Sequence, residues 1–288
     1  MTQPNMKSGE KGAWISIFAY LFLAGVKLLV GYIGNSEALW ADGLNNSTDV
    51  VASIAILIGL RISQKPPDQN HRYGHYRAET IASLLASFIM VAVGLQVIFS
   101  TIGNMFTSEG TRPDMLTAWT ALGAAIIMFF VYHYNLSLSR KINSAALYAA
   151  SQDNRADALV SIGAFIGIIG AQFGLYWLDP LAGLIVGVII CRTAWEIFKD
   201  STLMLTDGFD EDRLQKIKAE ISTFPEVKKV EDIKGRALGN QSVLDVTIKV
   251  DPQLNVIKSH DITVKIEEAL AEKHGILYTH IHIEPYYE

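Results

Sequence analysis

The sequence predicts an α-helical membrane protein with six transmembrane helices, followed by a cytoplasmic α+β domain of ferredoxin-like αββαβ order. Three observations carry this. Half of the 288 residues are hydrophobic and only 18% are charged, against about 25% charged in typical soluble proteins. Residues 1–206 hold 13 basic and 13 acidic side chains, while 207–288 hold 11 and 16, so the net charge of −5 falls entirely on the tail. Apolar runs of membrane-spanning length recur six times before that break and not after it. The expected domains are therefore 1–206, within the membrane, and 207–288, outside it.

The first run, residues 13–33, follows Lys7 and Lys11. It has full spanning length and no small-residue cleavage pattern after it, so it reads as a span and not as a cleaved signal. Runs at 38–60, 80–102, 116–137, 145–171 and 176–197 follow, each meeting the ~20 residues needed to cross the hydrocarbon. Six crossings put both termini on one side. Arg61, Lys65, Arg72 and Arg77 lie between spans 2 and 3, and Arg140 and Lys141 between spans 4 and 5, whereas the opposite loops hold only Arg112. The excess of basic residues marks the cytoplasmic face, so both termini are expected there, in a cell membrane of bacterial type.

The tail reads as a helix from about Asp210 to Thr223, stopped before Pro225, and then two strands. In the second strand Leu244, Val246, Ile248 and Val250 alternate with Asp245, Thr247 and Lys249, the period of a half-buried strand. Ser259 reads as the N-cap of a helix running to Lys273, ended by His274 and Gly275. A last strand is expected from Leu277 to Glu284. Three short strands leave open edges, which favours pairing with a second copy of the chain.

Composition excludes several functions. No strongly basic segment exists to neutralise phosphates, so a nucleic-acid binder is not expected. The single cysteine, Cys191, rules out an intramolecular disulfide and a CxxC metal site. No nucleophile, base and oxyanion constellation suggests an enzyme, and no prosthetic group is expected.

Charges within the spans carry the chemistry. Span 2 contains Asp42, Asn45 and Asp49, and span 5 contains Asp153, Arg155 and Asp157, although a carboxylate at the bilayer centre costs about 2.5–3.5 kcal/mol even on translocon-insertion scales. Asn45 and Asp49 are four residues apart, as are Asp153 and Asp157, so each pair lies on one helix face. Both motifs lie about 12–20 Å into helices running in opposite directions, which brings them to one level near the midplane. Three carboxylates and an amide carbonyl then form an all-oxygen cation site, better suited to Mg²⁺, Ca²⁺ or Mn²⁺ than to Zn²⁺. The bland alternative pairs an aspartate with Arg155 or Lys27. Arg155, two residues from each aspartate, points away from their face. Asp42 shares the face of Asn45 nearer the outer surface and reads either as an exit-path residue or as a structural one.

These residues resemble the cation diffusion facilitator family over nearly the whole chain. The stretch Ser36 to Gly43 followed by Asn45 to Asp49 resembles the family's second span, and His71 to Glu79 resembles its loop into the third. Asn45xxxAsp49 and Asp153xxxAsp157, with no histidine, resemble the manganese branch; the zinc branch carries HxxxD. The resemblance implies export of a divalent cation, Mn²⁺ favoured, in exchange for protons, by alternating access in a lipid-embedded homodimer. Iron(II) and zinc remain competing cargoes, and a metal-gated channel or sensor is the rival of a different class. The resemblance also implies candidate sites at Asp68, His71 and His75 in the loop, and at His260, His282 and Glu284 between subunits in the tail.

Overall fold

The computed structural model describes residues 7–33, 37–107, 114–175, 177–276 and 278–287. Ser36, Arg112 and Leu277, used above for the second span, an outer loop and the start of the last strand, lie outside them. Two compact units are present, Met1–Ser201 and Thr202–Glu288.

The first unit consists of long helices: α1 (Lys7–Ile33), α2 (Glu37–Ser63), α3 (Arg77–Thr107), α4 (Met115–Ile142), α5 (Ala145–Gln172) and most of α6 (Leu178–Leu205). They run past the apolar stretches at most ends because the polar flanks also favour helix. A helix of 27 residues is about 40 Å long, close to the full bilayer with its headgroup regions. Among the described residues, five of the six are long and apolar enough to cross a membrane. The exception is α5, as long as the others at 28 residues, whose Gln152-Asp153-Asn154-Arg155-Ala156-Asp157 segment dilutes its apolar character.

Helices α1, α2, α4 and α5 pack together, with α3 against α2 and α5. Their shared core contains Ile17, Ile56, Leu60, Leu147 and Ala150. A turn of two residues joins α4 to α5: Asn143 takes the left-handed conformation at φ 53°, and Ser144 Oγ accepts from Leu147 N at 3.2 Å to cap α5. On α6, Val186, Ile190, Ala194 and Ile197 join the same core. Glycine lets α6 approach α3 closely: a Cβ on Gly94 would lie 2.6 Å from Cys191 Sγ, the small-residue packing by which membrane helices associate.

The second unit is built as α7 (Glu211–Ile221), β1 (Lys229–Leu238), β2 (Gln241–Val250), α8 (Val256–His274) and β3 (Tyr278–Pro285). The sheet order is β1-β2-β3, antiparallel between β1 and β2 and parallel between β2 and β3. The parallel pair requires a crossover, and α8 supplies it. Leu244, Val246, Ile248 and Val250 face a core completed by Ile217 and Ile221 of α7 and by Ile262, Ile266 and Leu270 of α8. This is the expected αββαβ order, with one correction. Asn255, not Ser259, caps α8: Asn255 Oδ1 accepts from Lys258 N at 2.9 Å, while Ser259 lies in the first turn with its hydroxyl on the carbonyls of Asn255 and Val256. Val256 and Ile257 are exposed, so the apolar period that marks the helix begins a turn after the helix itself.

Candidate metal centre

Helices α2 and α5 bring Asp49, Asp153 and Asp157 together. One carboxylate oxygen from each lies within 4.8 Å of the others, and the residues are 1%, 8% and 6% exposed. Twice a hard cation–oxygen distance of about 2.0–2.6 Å is about 4–5 Å, so the three oxygens are spaced for one ion. Three carboxylates buried together repel, and the interior offers little water to screen them. Asn45 is half-buried, with Nδ2 3.4 Å from Asp49 Oδ2, and thus adjoins the cluster.

The surroundings include residues not singled out in the sequence. Asn46, fully buried beside Asn45, donates from Nδ2 to Asp49 Oδ2 at 3.2 Å. From α1, the Tyr20 hydroxyl donates to Asp153 Oδ2 at 3.0 Å and to Asp157 Oδ2. Asn154 Nδ2 donates to Tyr20 Oη at 3.0 Å. The signal available was spacing: Asn46 is three residues before Asp49, and Ser16 and Tyr20 share a face of α1 at i,i+4.

The cationic neighbours are occupied elsewhere. Lys27, 1% exposed, pairs with Asp42 at 2.7 Å, which favours the structural reading of Asp42. Arg155 donates to Gln152 Oε1 at 3.5 Å, in line with its predicted direction away from the aspartates.

A second cluster occupies the loop between α2 and α3. Asp68, His71 and His75 each offer a ligand atom within 4.8 Å of the others. His71 Nδ1 lies 3.2 Å from Asp68 Oδ1, and His75 Nε2 lies 3.3 Å from Asp68 Oδ2. Asp68 is held by backbone N–H groups of His71 (2.7 Å) and Asn70 (2.9 Å). The His71 amide is the first cause that keeps its carboxyl below the usual carboxylate range.

The tail residues do not assemble in the same way. His282 Nε2 and Glu284 Oε1 are 3.8 Å apart on the exposed face of β3. His260 sits near the start of α8, and among the described residues of one chain it forms no three-residue cluster with them.

Sequence comparisons agree with this architecture. Residues 13–206 match the cation efflux transmembrane domain and residues 209–286 match the cation efflux protein cytoplasmic domain. The Manganese efflux system protein MneS of Bacillus subtilis (strain 168) is 54% identical over 280 residues, 97% of each chain. Uncharacterized transporter YdbO of the same strain is 50% identical over 283 residues, covering 98% of this chain and 97% of its own. Manganese efflux system protein MneP, also of that strain, is 31% identical over 297 residues and the full length of both. With its spanning helices and both matched domains, the chain belongs to the cation efflux family of integral membrane transporters, which move divalent metal ions and are not enzymes.

Proposed function

We propose that the protein exports Mn²⁺ from the cytoplasm, with Asn45, Asp49, Asp153 and Asp157 as the transport site. The observation that carries this reading is the buried cluster of three carboxylates, which offers only oxygen to a cation. Oxygen donors suit hard ions such as Mn²⁺, whereas zinc sites are normally built with nitrogen or sulfur. The names of the relatives MneS and MneP support the same cargo.

The chemistry follows from the ligands. Ionised carboxylates exposed to the cytoplasm bind the cation, with the Asn45 carbonyl adding a neutral donor. Rocking of the helices turns the site outward, and protons then compete with the ion for the same oxygens and release it. Both termini and the tail lie in the cytoplasm of a bacterial cell in this reading. Residues 207–288 pair two chains into a homodimer, for which the match to the family's cytoplasmic domain is the support. The tail senses the metal through His260, His282 and Glu284 contributed across the pair, and the loop cluster of Asp68, His71 and His75 offers a separate cytoplasmic binding point.

The test is uptake into proteoliposomes carrying a proton gradient, with Mn²⁺, Fe²⁺ and Zn²⁺ compared. Mn²⁺ should be driven against its gradient, and Asp49→Ala, Asp153→Ala and Asp157→Ala should each abolish uptake while the protein still inserts. Purely downhill flux would identify a channel. Near-normal Mn²⁺ uptake by Asp157→Ala would sink the site assignment.

A further inference from the structure

The three carboxylates come from α2 and α5, yet a side chain of α1 touches two of them. Tyr20 is fully buried, and its hydroxyl lies against Oδ2 of both Asp153 and Asp157. The phenol oxygen in turn accepts from Asn154 Nδ2. Asn154 is itself fixed, because its Oδ1 accepts from Ser16 Oγ at 3.1 Å and from Asn135 Nδ2 at 2.9 Å. A hydroxyl has one proton to donate. With Asn154 on its acceptor side, that proton is directed at the two aspartates and shared between them.

We propose that Tyr20 is a positioning and specificity-determining residue of the transport site: its hydrogen bonding to Oδ2 of Asp153 and of Asp157 biases each carboxylate to bind the cation through its other oxygen. The proposal rests on the reading of these aspartates as ligands of the cargo. Cations differ in the number of oxygens they take. Ca²⁺ accepts 6–8 and readily uses both oxygens of a carboxylate, whereas smaller hard ions prefer six in octahedral array. One oxygen per aspartate keeps the count low and disfavours Ca²⁺. Removing the phenol hydroxyl frees both Oδ2 atoms, permits two-oxygen binding by each carboxylate and so favours the larger ion.

The experiment measures Mn²⁺ uptake by the full chain in proteoliposomes, with Ca²⁺ as competitor. For Tyr20→Phe we expect a KM for Mn²⁺ raised at least threefold, and a Ca²⁺ concentration for half-inhibition lowered at least fivefold. Asn154→Ser, which removes the bond that directs the phenol, should shift the Ca²⁺ to Mn²⁺ ratio the same way, by at least twofold. Tyr134→Phe, which removes the hydroxyl of an exposed tyrosine on α4 that takes no part in these bonds, should leave that ratio unchanged. If Tyr20 only supported the fold, Tyr20→Phe would lower the amount of active protein and its maximal rate at an unchanged ratio. An unchanged ratio in both Tyr20→Phe and Asn154→Ser overturns the proposal. Normal uptake by Asp157→Ala, by contrast, overturns the site reading on which it rests, whatever the Tyr20 variants do.

Discussion

Replacing Lys27 by methionine removes an ammonium that lies 2.7 Å from Asp42 Oδ2 in a place where the lysine is 1% and the aspartate 18% exposed. Breaking a buried pair at one end costs about 3–5 kcal/mol because the remaining charge is left without compensation. Asp42 keeps some exposure, so the low end applies, about 3 kcal/mol. At roughly 2–4 °C per kcal/mol for a unit of this size, the melting temperature should fall by about 6–12 °C. Removing both charges, as in Lys27→Met with Asp42→Leu, should bring stability back to within about 1 kcal/mol of the wild type. The two single variants and the double variant form a cycle, read by thermal unfolding of the detergent-solubilised full chain. With about 3 kcal/mol lost in each single variant and at most about 1 in the double, the cycle should give a coupling energy of about 5 kcal/mol or more, and additivity within about 0.5 kcal/mol would refute the pair. The same variants separate the two readings of Asp42. As a structural residue it is dispensable once Lys27 is also gone, so the double variant should transport Mn²⁺ within about threefold of wild type, a margin of roughly 0.7 kcal/mol. A stable double variant that does not transport would put Asp42 on the exit path.

Two further outcomes are expected. Asn45→His and Asp153→His each recreate HxxxD, and imidazole favours zinc over manganese in the general affinity order; both should raise the Zn²⁺ to Mn²⁺ uptake ratio, measured beside wild type in the same vesicles at one pH. Asp153→His also removes a charge and the acceptor of a Tyr20 hydrogen bond, so it should lose more Mn²⁺ transport, and no change in ratio in either variant would reject ligand hardness as the selector. In the tail, hydrogen bonds from Lys273 and then His274 hold the Glu220 carboxyl below its ordinary value of 4.5. A depressed folded value means that the contribution to stability is complete above about pH 4.5 and is lost as pH falls through the lower folded value. Unfolding of the tail followed from pH 6 to 3 should therefore lose less stability in Glu220→Gln than in wild type, and parallel curves would contradict the linkage.

The carboxylate cluster was legible because helix periodicity is strict. Two i,i+4 pairs at matched depth on oppositely directed helices leave few arrangements other than facing one another, and Asp49, Asp153 and Asp157 meet as that reasoning requires. Tyr20 was not legible. A tyrosine in an apolar run looks like any buried or lipid-facing aromatic, and its reach to α5 depends on helix rotation, which spacing does not give. Asn154 was masked for a different reason: it stands beside Asp153 in the chain but serves α1 and α4 through Ser16 and Asn135. The start of α8 was misread because its first turn is exposed and its cap was chosen by the later apolar period. His260 is grouped with His282 and Glu284 by the resemblance alone, as a site between subunits, and spacing within one chain gives no signal for it.

The turn of Asn143 and Ser144 between α4 and α5 has a mechanical meaning. Three Cα–Cα steps of 3.8 Å separate Ile142 from Ala145, so the joined helix ends can part by no more than about 11 Å. So short a turn limits how far α5 can slide along α4. Asp153 and Asp157 sit eight and twelve residues beyond Ala145, lever arms of about 12 and 18 Å. A tilt of 10° at the turn thus moves these carboxylates by only about 2–3 Å, on the scale of one metal–oxygen bond. The partner oxygen on Asp49 rides on α2, whose connection to α3 runs from Gln64 to Tyr76 and imposes no such restraint. A rotation of that size at a short, left-handed corner would therefore change the spacing of the oxygens around an ion.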